Sequence, residues 1–210
     1  MIINFYGNQF LKFQVGDTVI TTDPFSSESK LKGPKFGADI VLQTTRHEDM
    51  AGGDDMTYGN KTPYVIKGPG EYEISGIFIK GYSSNSSYDG LDSEFANTFY
   101  VFDMDNIKVL IAGSVVSGNR KITVDTDIDI LFVPISGDGR MSAKEAAELI
   151  NNLEPKLIIP YGFISVEDKC IDAFLKEMGT SDKDVQDKLT IKKKEVDSFK
   201  GKILIIKNDK

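Results

Sequence analysis

The sequence predicts an α/β sandwich, in which two β-sheets face each other and helices cover their outer surfaces. Most of residues 10–111 has the pattern of short strands separated by Gly, Pro and Asp turns. Residues 129–159 have the pattern strand, helix, strand, and this order requires a crossover connection. No stretch resembles a linker, so we expect one domain over residues 1–210.

The first third of the chain is predicted to contain short strands. Residues 10–15 and 17–22 flank a Gly-Asp turn, which is typical of a β-hairpin. Pro24 ends the second strand because proline has no N–H to donate to a neighbouring strand. Residues 38–42 (ADIVL) are apolar at four of five positions and predict a short buried strand.

The middle of the chain is also predicted to be β-structure. Between its strands, residues 81–96 are rich in Ser, Asn, Asp and Gly, so we expect a long exposed loop there. The predicted strands are residues 63–66, 72–74, 77–79, 98–102 and 107–111.

The last third is predicted to contain two helices. Ser142 and Glu145 form a capping-box pattern at the start of the first helix, and Pro155 lies beyond its end. The second helix is expected to start at Ser165 and to end near Gly179. Strands are predicted at residues 129–134, 157–160, 189–196 and 201–206.

Composition and charge narrow the function classes. The formal net charge of −7 disfavours nucleic acid and anionic membrane surfaces as partners. No apolar run approaches the length of a membrane span, and the first residues lack the features of a secretory signal. Cys170 is the single cysteine and lies on the apolar stripe of the second helix, which favours core packing. We expect a cytoplasmic protein; its partners are unknown, and homo-oligomerisation is left open.

The turn at residues 43–53 (QTTRHEDMAGG) contains the only histidine, His47. It resembles the metal-binding turn of the metallo-β-lactamase superfamily, Thr-His-x-His-x-Asp-His. His47 and Asp49 keep their places in that motif, whereas Thr45 and Met50 stand at the positions of its first and last histidines.

The resemblance extends over most of the chain. Asn8 stands where the superfamily often has a histidine, and Asp23-Pro24 resembles its Asp-Pro motif. Residues 38–42 resemble the strand that leads into the metal-binding turn. The resemblance implies the αββα sandwich of that superfamily, with two facing mixed β-sheets and outer helices.

Most of the metal ligands that the resemblance implies are missing. Ile111 stands at a histidine position, Ser114 at the bridging aspartate and Gly162 at the last histidine. Catalysis in this superfamily needs several imidazoles and carboxylates around a metal with an open position for water. The leading hypothesis is therefore a degenerate member, without metal centre or hydrolase activity, that acts as a binding or structural protein. We assign no catalytic residue and expect no cofactor, or at most one weakly bound divalent ion at a vestigial site of His47 and Asp49.

Two alternatives remain open. The first is a divergent metal-dependent hydrolase of phosphoesters or lactones, with one reduced metal site at His47 and Asp49. The second is an oligomerisation scaffold that uses aromatic residues of the middle strands, such as Tyr64 and Phe78. The two site residues also have simpler interpretations: His47 as a turn residue held by a local hydrogen bond, and Asp49 as a cap.

Overall fold

Two mixed β-sheets form the framework of the protein. The computed structural model describes residues 1–91, 93–116 and 122–209 and confirms the predicted α/β sandwich. The first sheet has the spatial order β13-β1-β2-β3-β4-β5. Its strands are β1 (Ile2–Phe5), β2 (Leu11–Val15), β3 (Thr18–Thr22), β4 (Ile40–Leu42), β5 (Tyr64–Ile66) and β13 (Leu189–Thr190).

The second sheet has seven strands in the order β14-β11-β10-β9-β8-β7-β6. Strands β6 to β9 form antiparallel hairpins, whereas β9, β10, β11 and β14 run parallel. The strands are β6 (Gly70–Ile74), β7 (Ile77–Ser86), β8 (Ser93–Met104), β9 (Ile107–Ile111), β10 (Ile130–Pro134), β11 (Leu157–Tyr161) and β14 (Lys202–Ile203). A small third sheet pairs β12 (Val185–Gln186) with β15 (Ile205–Ile206).

The main core lies between the two large sheets. Phe13 on β2 meets Phe102 on β8 and Phe132 on β10 edge to face, with ring centroids 5.3 and 5.4 Å apart. All three side chains are buried. Interlocking aromatic and aliphatic side chains of this kind provide most of the hydrophobic stabilisation of such a sandwich.

Three α-helices lie within the described residues, beside several short 3-10 helices. Helix α1 (Ala143–Leu153) connects the parallel neighbours β10 and β11, as the predicted crossover requires. Its capping box is present, because the Ser142 hydroxyl accepts the N–H of Glu145 and the Glu145 carboxylate accepts the N–H of Ser142. Helix α2 (Lys169–Glu177) packs against α1, and α3 (Lys193–Val196) is a single turn. Among the described residues, no helix is both long enough and apolar enough to cross a membrane.

Three sequence predictions of secondary structure need correction. Residues 81–96 are not one exposed loop: β7 continues to Ser86 and β8 begins at Ser93, although Asp92 lies outside the described residues. Helix α2 begins at Lys169, since Asp168 rather than Ser165 occupies the N-cap position. Residues 189–196 are a two-residue strand followed by α3 instead of one strand.

Candidate functional site

A cleft of about 430 Å³ opens at the carboxyl ends of β4, β10 and β11. Its walls include residues 47–49 after β4, residues 88–89 after β7, residues 136, 138 and 140 after β10, and residues 162–164 after β11. Ligands of open α/β folds commonly bind at the carboxyl ends of the parallel strands. The cleft therefore lies where the fold favours a site, and the only histidine is on its wall.

His47 is held in the cleft by two hydrogen bonds. Its Nδ1 atom accepts the backbone N–H of Asp49 at 3.1 Å and so caps the short helix that begins at Glu48. Its Nε2 atom lies 3.2 Å from Oδ2 of Asp89. Because Nδ1 accepts a hydrogen bond, the proton of the neutral ring is on Nε2 and points to Asp89. The local hydrogen bond expected of a turn histidine is thus present.

Asp49 is the second wall residue retained from the motif. Its carboxylate accepts hydrogen bonds from the Tyr88 hydroxyl, at 2.7 Å, and from the Ser29 hydroxyl. Oδ2 of Asp49 lies 3.6 Å from Nδ1 of His47. Burial, reinforced by the hydrogen bond to Asp49, raises the pKa of Tyr88 to about 12. Tyr88 is therefore a neutral hydrogen-bond donor near pH 7.

Arg140 forms the neighbouring part of the wall. Only 4% of its side chain is exposed, and the guanidinium lies 4.6 Å from the centre of the Tyr88 ring. Nε and one terminal nitrogen donate to the two oxygens of Asp138 at 3.0 and 2.7 Å. The other terminal nitrogen donates to Oδ1 of Asn8. The cleft therefore contains a fixed positive charge beside the Tyr88–Asp49 pair.

Sequence reasoning did not identify Arg140, Tyr88 or Asp89. Arg140 lies in the segment between the predicted strand 129–134 and the predicted first helix, and no motif there marks it. Tyr88 and Asp89 lay within the predicted exposed loop, so nothing in the sequence separated them from other polar loop residues.

The remaining expected ligand positions have other roles. The Thr45 hydroxyl donates to Asn97, and Ser114 accepts from Gln9, at 3.0 and 2.9 Å. Met50 and Ile111 are fully buried apolar side chains. None of these four side chains lines the cleft.

A buried polar network joins residues that follow strands β1, β3, β4 and β9. Asp23 accepts the backbone N–H and the hydroxyl of Thr44, both at 2.7 Å. Gln9 links Thr44 to Ser114, and Asn97 accepts the N–H of Ser114 at 2.8 Å. Burial raises the pKa of Asp23 to about 8, although both bonds from Thr44 oppose the rise. Within the described residues, every buried side-chain nitrogen and oxygen has a hydrogen-bond partner, so this network is complete.

The residues present do not fit the two-ion centre of the metallo-β-lactamase superfamily. In the part of the chain that the structure describes, no group of three or more His, Cys, Asp or Glu side chains is placed to hold a metal ion. His47, Asp49 and Asp89 lie close together, but both ring nitrogens of His47 are engaged. One ion at His47 would replace at least one of these hydrogen bonds, so the set fits a single, weakly held ion at most.

Comparison with known proteins establishes the family. The family model described as the β-lactamase superfamily domain matches residues 2–162, and the chain belongs to this superfamily, in its metallo-β-lactamase branch. Relatives in Lysinibacillus sphaericus and Thermococcus onnurineus are named UPF0173 metal-dependent hydrolases. The first is 24% identical over 76% of this chain and 84% of its own length. The second is 26% identical over 70% of this chain and 77% of its own length.

Solved structures of the superfamily share the fold. A structure from Thermotoga maritima, provisionally named a Zn-dependent hydrolase of the metallo-β-lactamase superfamily, is similar with a TM-score of 0.73 and 26% identity. The similarity covers 98% of this chain and 97% of the other. A metallo hydrolase from Ignicoccus hospitalis has a TM-score of 0.63 at 17% identity, over 100% and 96% of the two chains, and supports the fold alone.

These relatives overturn two sequence predictions. The leading hypothesis of a degenerate protein without hydrolase activity is wrong, because the relatives are named metal-dependent hydrolases. The expectation of no cofactor is wrong for the same reason, since the relatives' name implies a metal. The sequence did not reveal Asp89, Tyr88 and Arg140, whose polar side chains line the same cleft as His47 and Asp49.

Proposed function

We propose that the protein is a metal-dependent hydrolase that uses the cleft beside His47 as its active site. The bond cleaved is a phosphoester or a lactone, and one divalent ion is held at a reduced position formed by His47 and Asp49. The observation that carries this proposal is the placement of these two residues. They line the same cleft, with Asp49 3.6 Å and Asp89 3.2 Å from the two nitrogens of the imidazole.

The side chains around the cleft have distinct roles in this proposal. A bound divalent ion would polarise the reacting oxygen and lower the pKa of a coordinated water. Tyr88 donates to Asp49 and fixes the direction of its carboxylate. Without the ion, Asp89 accepts from Nε2 of His47 and orients the ring, and a bound ion would replace this hydrogen bond. Carboxylate oxygens outnumber imidazole here, which favours a hard, oxygen-preferring ion such as Mn²⁺ or Mg²⁺ over zinc.

The test is a hydrolysis assay with added Mn²⁺, Mg²⁺ or Zn²⁺ on a phosphate monoester, a phosphate diester and a lactone. The double variant His47→Ala/Asp49→Ala should lose the ion-dependent activity. The matched control is Asp54→Ala, because the Asp54 side chain is 80% exposed and lies outside the cleft. Equal hydrolysis by the double variant and the wild type would exclude this site.

The other sequence predictions stay predictions. These are the single domain over residues 1–210, the cytoplasmic location and the absence of nucleic acid among the partners. The net charge of −7 supports the last of them.

A further inference from the structure

We propose that Arg140 binds an anionic oxygen group of the substrate, which makes the substrate a phosphoester rather than a neutral lactone. This inference rests on the proposed hydrolase function and assigns its substrate class. The superfamily resemblance does not predict Arg140. Its guanidinium lies next to Asn8 and Gly162, two positions at which the resemblance expects histidines.

The guanidinium of Arg140 has more hydrogen-bond donors than the protein hydrogen bonds it makes. It carries five N–H groups, and its three nitrogens donate to Asp138 and Asn8 through one hydrogen bond each. Among the described residues, the two remaining N–H groups have no protein acceptor. Because the side chain is 4% exposed and borders the cleft, the cleft is where an acceptor can reach them.

The guanidinium is also fixed in place before any ligand arrives. Asp138 holds one edge with two hydrogen bonds, Asn8 holds the opposite terminal nitrogen, and the Tyr88 ring covers one face at 4.6 Å. A planar fork held in this way loses little freedom when it binds an anion with two oxygens. A phosphate group supplies such a pair of charged oxygens, whereas the single carbonyl of a lactone does not.

Gly162 lets the guanidinium pack close to the backbone at the cleft wall. A Cβ atom at this position would lie 3.4 Å from a terminal nitrogen of Arg140 and 3.3 Å from Oγ of Ser136. A histidine at position 162 would therefore project into the space that borders the guanidinium. With glycine there, the guanidinium can occupy its position at the cleft wall.

The charge balance of the cleft sets the expected affinity. Five carboxylates line it (Glu48, Asp49, Asp89, Asp138 and Asp168), against the two cations Lys30 and Arg140. A free anion therefore meets an unfavourable field, and we expect inorganic phosphate to bind with a Kd on the order of 1 mM. A divalent ion at His47 would add positive charge, so phosphate binding should tighten when Mn²⁺ or Mg²⁺ is present.

The experiment measures binding of inorganic phosphate without any turnover. Mg²⁺-loaded wild-type protein is titrated with phosphate and followed by ³¹P NMR, beside Arg140→Gln, Arg140→Lys and the control Lys30→Gln. We expect Arg140→Gln to weaken binding about tenfold or more, Arg140→Lys to weaken it less, and Lys30→Gln to change it about twofold. Equal affinity of Arg140→Gln and wild type, or complete loss in Lys30→Gln, would overturn the proposal.

A second measurement needs no variant and guards against misfolding of Arg140→Gln. The ¹⁵Nη resonances of Arg140 in the wild-type protein should shift on addition of phosphate but not on addition of the same concentration of chloride. Unmoved resonances at saturating phosphate overturn the proposal even if the variants fail to fold.

The outcomes separate this inference from the proposed function. If the protein hydrolyses a lactone and Arg140→Gln does so at the same rate, the proposed hydrolase function is supported and the anion site at Arg140 is overturned. Arg140-dependent phosphate binding without hydrolysis of any ester would support the anion site and count against the hydrolase.

Discussion

The Nδ1 atom of His47 accepts the backbone N–H of Asp49 at 3.1 Å, so the two residues retained from the superfamily motif hold each other in place. This contact makes His47 both a structural cap and a candidate ligand. The two roles use different atoms of the ring, because Nε2 points away from the cap towards Asp89. Substitutions can therefore separate them.

Replacing His47 by asparagine should retain the cap and remove the ligand. Asparagine is a good N-cap residue, whereas alanine cannot accept the N–H of Asp49. We expect His47→Ala to lower the free energy of unfolding by about 0.5–1 kcal/mol and His47→Asn to leave it nearly unchanged. Both should lose the ion-dependent hydrolysis. Urea unfolding measures the stability of both variants, and the hydrolysis assay measures their activity. Equal stability of the two variants would contradict the capping role.

Removing the Tyr88 hydroxyl should disorganise Asp49. Tyr88→Phe keeps the ring that contacts Arg140 and His47 but deletes the 2.7 Å hydrogen bond to the carboxylate. We expect about 1 kcal/mol lower stability and about a tenfold lower kcat/KM for ion-dependent hydrolysis. Tyr58→Phe is the control, since Tyr58 is 77% exposed. An unchanged kcat/KM in Tyr88→Phe would show that the orientation of Asp49 does not matter for the reaction.

Asp23 should make the protein less stable as the pH rises. Its pKa in the folded protein is about 8, above its ordinary value of 3.8, because the carboxyl group is buried. The folded state therefore holds the proton more tightly, so its contribution to stability is complete below about pH 4 and is lost as the pH rises to about 8.

Asp23→Asn tests this dependence, because the amide oxygen can still accept the N–H of Thr44 and does not titrate. The free energy of unfolding of Asp23→Asn relative to wild type should increase steadily from pH 5 to pH 8 in urea titrations. A difference that is constant over this pH range would mean that Asp23 does not titrate there.

The buried polar network that includes Asn97 and Thr44 is closely packed around Gly113. A methyl group at Gly113 should therefore lower the free energy of unfolding substantially. A Cβ atom there would overlap Oδ1 of Asn97 and would lie 2.7 Å from Cβ of Thr44, and φ is +70°. Gly59 has a similar φ of +60°, and a Cβ atom there would meet no atom within 4 Å. Gly59→Ala therefore measures only the backbone strain of an alanine at positive φ.

We expect Gly59→Ala to cost about 1 kcal/mol and Gly113→Ala about 2 kcal/mol more than that. Thermal or urea unfolding measures both variants. Equal costs would indicate that the network moves aside easily and is not tightly packed.

Local signals made much of the fold predictable. The β2–β3 hairpin surrounds a Gly-Asp turn, and the capping box of α1 consists of residues three apart. Each of these features is decided by neighbours in sequence, so propensity and pattern are sufficient.

The segments that were mispredicted are those whose burial depends on residues distant in the sequence. Ser84 and Ser86 look like loop residues, yet both are buried in β7, where Ser84 accepts a hydrogen bond from Asn97 at 2.7 Å. Composition cannot identify a buried serine, because its burial depends on a partner elsewhere in the chain.

The candidate site was even less visible. His47 and Asp49 are marked by the motif, but Tyr88 and Arg140 come from other segments, and only folding brings them together. Their role depends on distances between loops after different strands, which no sequence spacing encodes.

Calorimetric titration of the metal-free protein with Mn²⁺, repeated on His47→Asn, measures whether His47 holds a metal ion. We expect about one ion per chain for the wild type and none for His47→Asn, with both proteins equally folded. No binding by the wild type, or the same stoichiometry and affinity in both proteins, would contradict a metal-dependent active site at His47.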